Sequence, residues 1–245
     1  MPEHLSKLRE PESPRHGYRG DRPCTPDHPF VPASLTVAVS REAGSRGTSI
    51  ARRAGEKLGW QVYTQEMLEY IAQESAFRQS IVDSLPPAAA EWMKERLQAL
   101  IGEHDLKPHH SVIEMSRIVL ALGAQGNVVL IGRGANCILP AESTLLVRIM
   151  APLAERIAYM SQWLRLTLEQ AAAQVELRDR RRADFLDTHF HRQPGDIYQY
   201  DLVLNSSLLG EELCAELIAQ AARAKADARQ AAHRPATSWT PERLT

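Results

Sequence analysis

Residues Leu35 to Gly59 read LTVAVSREAGSRGTSIARRAGEKLG. The apolar run Leu35 to Val39 predicts a short strand. A turn follows with Gly44 and Gly47. Then Ile50, Ala54 and Leu58 recur at helical spacing on one face, and Gly59 stops the helix. A strand, a glycine-bearing loop and a helix N-terminus together make an anion site. The first N–H groups of a helix have no intrahelical partner, and the helix dipole adds partial positive charge there. Two glycines let the backbone curl closely around an oxyanion. The loop is therefore read as a cradle for the phosphates of a nucleotide. The bland alternative is a tight strand-to-helix turn.

The loop departs from the standard phosphate-loop pattern, which ends G-K-[ST] with a lysine on the outer phosphates. Here Gly47 is followed by Thr48 and Ser49, and no lysine is present. Arg46 is the nearest cation. Ser49 or Thr48 offers a hydroxyl for magnesium.

Working outward, 245 residues can hold one large domain or two small ones, and 44% hydrophobic content is enough for a real core. A formal net charge of -1 gives no bulk attraction to nucleic acid or to acidic membranes, so neither partner is expected. Anion binding must come from local clusters. Cys24, Cys137 and Cys214 lie far apart, without zinc spacing; an odd, sparse count suits a reducing cytoplasm. No apolar run is long enough to span a bilayer.

Residues 1–34 hold seven prolines among charges and are expected to form a disordered tail. The expected domain covers 35–224. Gln61 to Tyr63 reads as a second strand, and Thr64 as the cap of a helix bearing Met67, Leu68 and Ile71. Residues 76–110 read as inserted helices on the acceptor side, with apolar surface around Trp92 that a homodimer could bury. His104, His109 and His110 lack helical metal spacing and read as solvated loop residues. Val112, Met115, Ile118, Val119 and Leu122 mark a further helix, ended by Gly123 and Gly126. Asn127 to Ile131 reads as a buried strand running into Gly132-Arg133-Gly134. Thr144 to Ile149 is the fourth strand, followed by a helix with Leu153, Ile157 and Met160 inward. Thr167 to Gln170 fits a capping box. It opens a helix that runs into Arg178-Asp179-Arg180-Arg181-Arg182, within a lid region of 167–198. Tyr200 to Asn205 is the fifth strand, and a last helix has Leu213, Leu217 and Ala221 inward. Residues 225–245 are expected to fray.

Five strands alternating with helices imply a parallel sheet covered on both faces, with ligand beyond the strand C-termini. The glycine loop and Gly132 to Gly134 both follow strand C-termini, so both fall on one edge.

Four segments in this order make the chain similar to the cytidylate kinase-like family of P-loop kinases. They are Ser40 to Gly47, Ile131 to Ala135, Asp179 to Arg182, and Tyr200 to Gly210. The resemblance covers about Leu35 to Gln220. It implies an α/β, three-layer P-loop kinase-like fold with a five-stranded parallel sheet, helical inserts and a helical lid. It implies ATP as donor, magnesium, and a nucleoside monophosphate or similar small acceptor. Gly44, Ser45, Arg46, Gly47, Thr48 and Ser49 would wrap the donor phosphates, with Arg41 beside them and Ser49 toward the metal. Arg133 matches the arginine of the family's G-R-D motif and would hold the acceptor phosphate. Arg182, with Arg178 or Arg181, would close over the transferring group. Asp179 would orient these arginines or touch the acceptor. Gly134 stands where cytidylate kinases carry aspartate, and Thr64 where an acidic residue is common. A catalytically weak nucleotide sensor or interaction module on the same fold is the alternative expectation.

Overall fold

The computed structural model describes Phe30, residues 32–104, Leu106 and residues 109–233. Most of the proline-rich segment 1–34 thus lies outside the described residues, as does 234–245. Five strands form one parallel sheet: β1 (Thr36–Arg41), β2 (Gln61–Tyr63), β3 (Val128–Ile131), β4 (Thr144–Met150) and β5 (Leu202–Asn205), in the order β2-β3-β1-β4-β5. β1 sits at the centre, pairing Thr36 with Val128 of β3 and with Thr144 of β4. All six of its residues are buried, as a strand covered on both faces requires.

Alternation along the strands sends side chains to two cores. Val37, Val39, Val129, Ile131, Val147 and Ile149 meet Ile50 and Ala54 of α1 (Gly47–Leu58) and Cys214 and Ile218 of the C-terminal helix. Ala38, Val128, Leu130 and Leu146 face the opposite layer. That layer is built by α2 (Gln65–Gln73), α3 (Ser75–Asp83), α4 (Pro87–His104), α5 (His110–Gln125) and the short α6 (Ala135–Ile138). α7 (Leu153–Leu164) packs against α8 (Leu168–Phe190), the helix of the expected lid region, and α9 (Ser206–His233) is the last described helix. Thr64 caps α2, and Thr167 with Gln170 makes the capping box of α8.

Five expectations are corrected. Trp92 is buried among the α4–α5 residues, its ring 5.9 Å from that of Phe30, so it offers no apolar dimer face. Gly123 lies inside α5 rather than ending it, where an added Cβ would sit 2.4 Å from Leu139; Gly126 ends the helix. The described chain does not fray at Lys225. Its ammonium bonds the Thr144 carbonyl and the Asp201 carboxylate, and Arg229 bonds the Pro32 carbonyl, so α9 continues to His233. Its inner stripe is Cys214, Ala215, Ile218 and Ala222, and Leu213 turns outward. His104 and His109 also escape the solvated reading: their rings lie against those of Phe190 and His189.

Candidate active site

The β1–α1 loop is held in a tight curl. Gly44 has φ +80° and Arg46 φ +58°, both left-handed, and Arg46 takes the N-cap position. At Gly44 a Cβ would meet the Arg156 carbonyl oxygen at 2.5 Å, so both the torsion and the space demand glycine. Among the described residues, the backbone amides of Gly44, Arg46, Gly47, Thr48 and Ser49 bond no protein acceptor; the first helical bond runs from Ile50 N–H to the Arg46 carbonyl. Unspent amides at a helix start are what a phosphate chain would use.

Ser45 behaves differently. Its amide and hydroxyl both bond the Glu42 carbonyl, and Ser206 donates to its own carbonyl. It shapes the curl from behind and does not line the cavity in front. The Ser49 hydroxyl donates to Glu211, while Thr48 lines the same cavity.

A bracket of charges fixes the curl to the lid. The Asp179 carboxylate on α8 accepts from the Ala43 amide at 2.7 Å and from Arg156 Nη1 at 2.5 Å. Arg156 also donates to the Ala43 carbonyl at 3.1 Å and the Ala151 carbonyl at 3.0 Å. Ala43 itself packs with Met160 of α7 and with Ala171 and Val175 of α8. The lid is therefore seated directly on the loop. Arg182 Nη1 reaches the Arg41 carbonyl at 3.4 Å and Asp179 at 3.3 Å.

Two cavities open on this edge of the sheet. One, of about 760 Å³, runs along the curl between α1 and α7, past Arg52, Tyr159 and Trp163. The other, of about 400 Å³, carries six guanidinium groups, from Arg41, Arg133, Arg148, Arg178, Arg181 and Arg182, and a single carboxylate, Glu66, among the described residues. Arg41, Glu66, Arg178 and Arg182 line both, so the cavities meet there.

The second cavity is short of negative charge. Burial, then the neighbouring Arg182 guanidinium, press the Arg41 pKa down to about 9, with Glu66 opposing and Arg133 adding to the fall. Arg41 stays protonated at neutral pH, yet its buried Nε and that of Arg133 have no hydrogen-bond partner. A buried guanidinium N–H left without an acceptor favours an entering anion. Arg133 is paired with Glu69 and lies over the Phe185 ring. Burial lowers its pKa, and Glu66 partly restores it. At Glu66 burial pushes the pKa up. Bonds from its own amide and the Thr64 hydroxyl, with the Arg41 and Arg133 charges, outweigh that and hold it below the ordinary carboxylate value.

The sequence profile of the Cytidylate kinase-like family matches residues 36–208. The chain belongs to that family. Among solved structures, an uncharacterized protein from Eubacterium ventriosum shares the fold, with TM-score 0.61 and 16% identity over 78% of this chain and 99% of that one. Shikimate kinase from Bacteroides thetaiotaomicron aligns with TM-score 0.42 and 13% identity, over 78% and 97% of the two chains. A 105-residue stretch is 30% identical to a uronate isomerase of Corynebacterium glutamicum, covering 43% of this chain. The chain spans only 20% of the length of that isomerase.

Arg41, Arg133, Arg178 and Arg182 all line one cavity. Sequence reading missed Glu66, Arg148, Tyr159 and Trp163. Glu66 could have been found: it stands in the first turn after β2, at the strand edge where ligands bind.

The absent aspartate has a structural reason. Gly134 has φ +69°, and a Cβ there would lie 2.6 Å from the Phe190 ring at the end of α8. Gly134→Asp is thus expected to destabilise the fold by about 2 kcal/mol or more, from left-handed strain and ring displacement. A melting curve tests this; an unchanged or raised midpoint would contradict the steric account.

Proposed function

We propose that this cytidylate kinase-like protein transfers a phosphoryl group from a nucleoside triphosphate, ATP as the leading donor, to a small phosphorylated acceptor such as a nucleoside monophosphate. The observation that carries the proposal is the junction of a glycine cradle with an arginine-lined cavity. Transfer needs little covalent chemistry from protein; it needs in-line positioning and neutralisation of the equatorial oxygens. The free amides of Gly44, Arg46, Gly47, Thr48 and Ser49 would hold the donor phosphates. Arg133, Arg148 and Arg181 would hold the acceptor's phosphate, since guanidinium forks suit its oxygens. Arg41, Arg178 and Arg182, at the junction, would meet the group in transit. They would also supply the charge that the loop lysine gives elsewhere, because Arg46 is drawn off over the Tyr159 ring, 5.0 Å from its centroid.

The residues present fit magnesium in the manner that ion prefers, with few protein ligands and several phosphate oxygens or waters. Among the described residues no cluster of three or more acidic, histidine or cysteine side chains could enclose a metal. Thr48 or Ser49 and Glu66 are the donors at hand. Bound magnesium would neutralise phosphate charge.

Glu66, ionised at neutral pH and facing both cavities, would orient the attacking group or the metal. Glu66→Gln is expected to lower turnover about 10–100-fold while donor affinity changes little. Steady-state ADP formation, with a panel of phosphorylated acceptors, checks this. A variant with full turnover would remove Glu66 from the reaction. The lack of a loop lysine favours a second reading, a nucleotide sensor with weak turnover. ATP binding without ADP formation on any acceptor would select it.

A further inference from the structure

The donor cavity has a wall that phosphate chemistry does not explain. On α7, Tyr159 and Trp163 stand one turn apart with ring planes 11° from parallel and centroids 6.4 Å apart. Both line the same cavity as the glycine curl. Trp163 is 62% exposed, which is costly for so large an apolar ring unless something covers it. One face of Tyr159 is taken by the Arg46 guanidinium; Trp163 is left with an open face. Arg52 and Glu56, on the opposing α1, supply polar edges to the same space.

We propose that Trp163 is the stacking platform for the heteroaromatic base of the nucleoside triphosphate. The inference rests on the donor reading above and adds where the base lies. The cavity that starts at the unspent amides runs on to this ring, so a ligand with phosphates in the curl carries its base toward α7. The occupant is a flat, polar-edged aromatic ring joined to a polyphosphate. Stacking reads a π-face rather than an edge, so the platform contributes affinity and little choice between bases.

The test is equilibrium titration of the full chain with magnesium ATP and with magnesium tripolyphosphate, which has no base. Trp163→Ala is expected to weaken ATP about tenfold or more and to leave tripolyphosphate within twofold. Trp163→Phe is expected to keep most ATP affinity. A melting curve of each variant confirms the fold, since the ring is mostly outside the core. Equal losses for both ligands, or an unchanged ATP affinity, would overturn the platform while leaving the cradle standing. If wild-type protein bound neither ligand, the donor reading itself would fall, and the platform with it.

Discussion

Replacing Arg182 by alanine is expected to reduce turnover about 10²–10³-fold, with ATP affinity changed less than about threefold. The asymmetry follows from position. The donor phosphates are held by backbone amides of the curl, which Arg182 does not touch. Its guanidinium instead stands at the junction of the two cavities, bonded only at 3.3–3.4 Å to Asp179 and the Arg41 carbonyl. Burial, opposed by Asp179, keeps its pKa below the usual arginine value. Such a cation gains most when charge spreads over the transferring group. Turnover and donor affinity measured side by side decide it. Equal losses in the two would mean that Arg182 serves donor binding alone.

Asp179→Ala should produce a large loss of stability. It strips the Ala43 amide of its acceptor and leaves Arg156, only 9% exposed, with the longer 3.4 Å contact to Glu42 in place of its 2.5 Å partner. Breaking a buried pair from one side costs several kcal/mol. The carboxylate is 31% exposed, so about 2–3 kcal/mol is expected, a fall of roughly 5–10 °C in melting temperature. ATP affinity should fall with it, because the curl loses its bracket to α8. Asp179→Asn, which keeps an acceptor for the amide, should recover part of both. A normal melting temperature with lost turnover would make Asp179 a group acting on the ligand instead of one positioning the loop.

Periodicity disclosed most of the sheet because β1, β3, β4 and β5 each carry an apolar run bounded by turn residues, and α1 because Ile50, Ala51 and Ala54 form one buried stripe. Capping chemistry disclosed the starts of α2 and α8, since Thr64 and Thr167 act through local bonds. What stayed hidden depends on contacts distant in sequence. Trp92 looks exposed until α4 is laid against α5. Gly134 looks like a lost carboxylate until Phe190, 56 residues on, is seen filling the space. Asp179 belongs to a run of charges that reads as a solvated helix face, and only the fold brings it to the Ala43 amide. The arginine pairings were likewise illegible: strand ends put Arg41 and Arg133 on one edge and the family resemblance adds Arg182, but neither tells that Arg133 pairs with Glu69 and Arg182 with Asp179. Ser45 shares the loop's composition yet faces backward, a matter of torsion angles that residue types do not fix.

The central claim is that the curl from Gly44 to Ser49 holds a polyphosphate beside the arginine cavity. Calorimetric titration of the wild-type chain with ATP and magnesium addresses it most directly. One molecule per chain should bind with half-saturation below about 1 mM, more weakly as salt rises. No saturable heat from ATP, in low salt and with magnesium present, would contradict it.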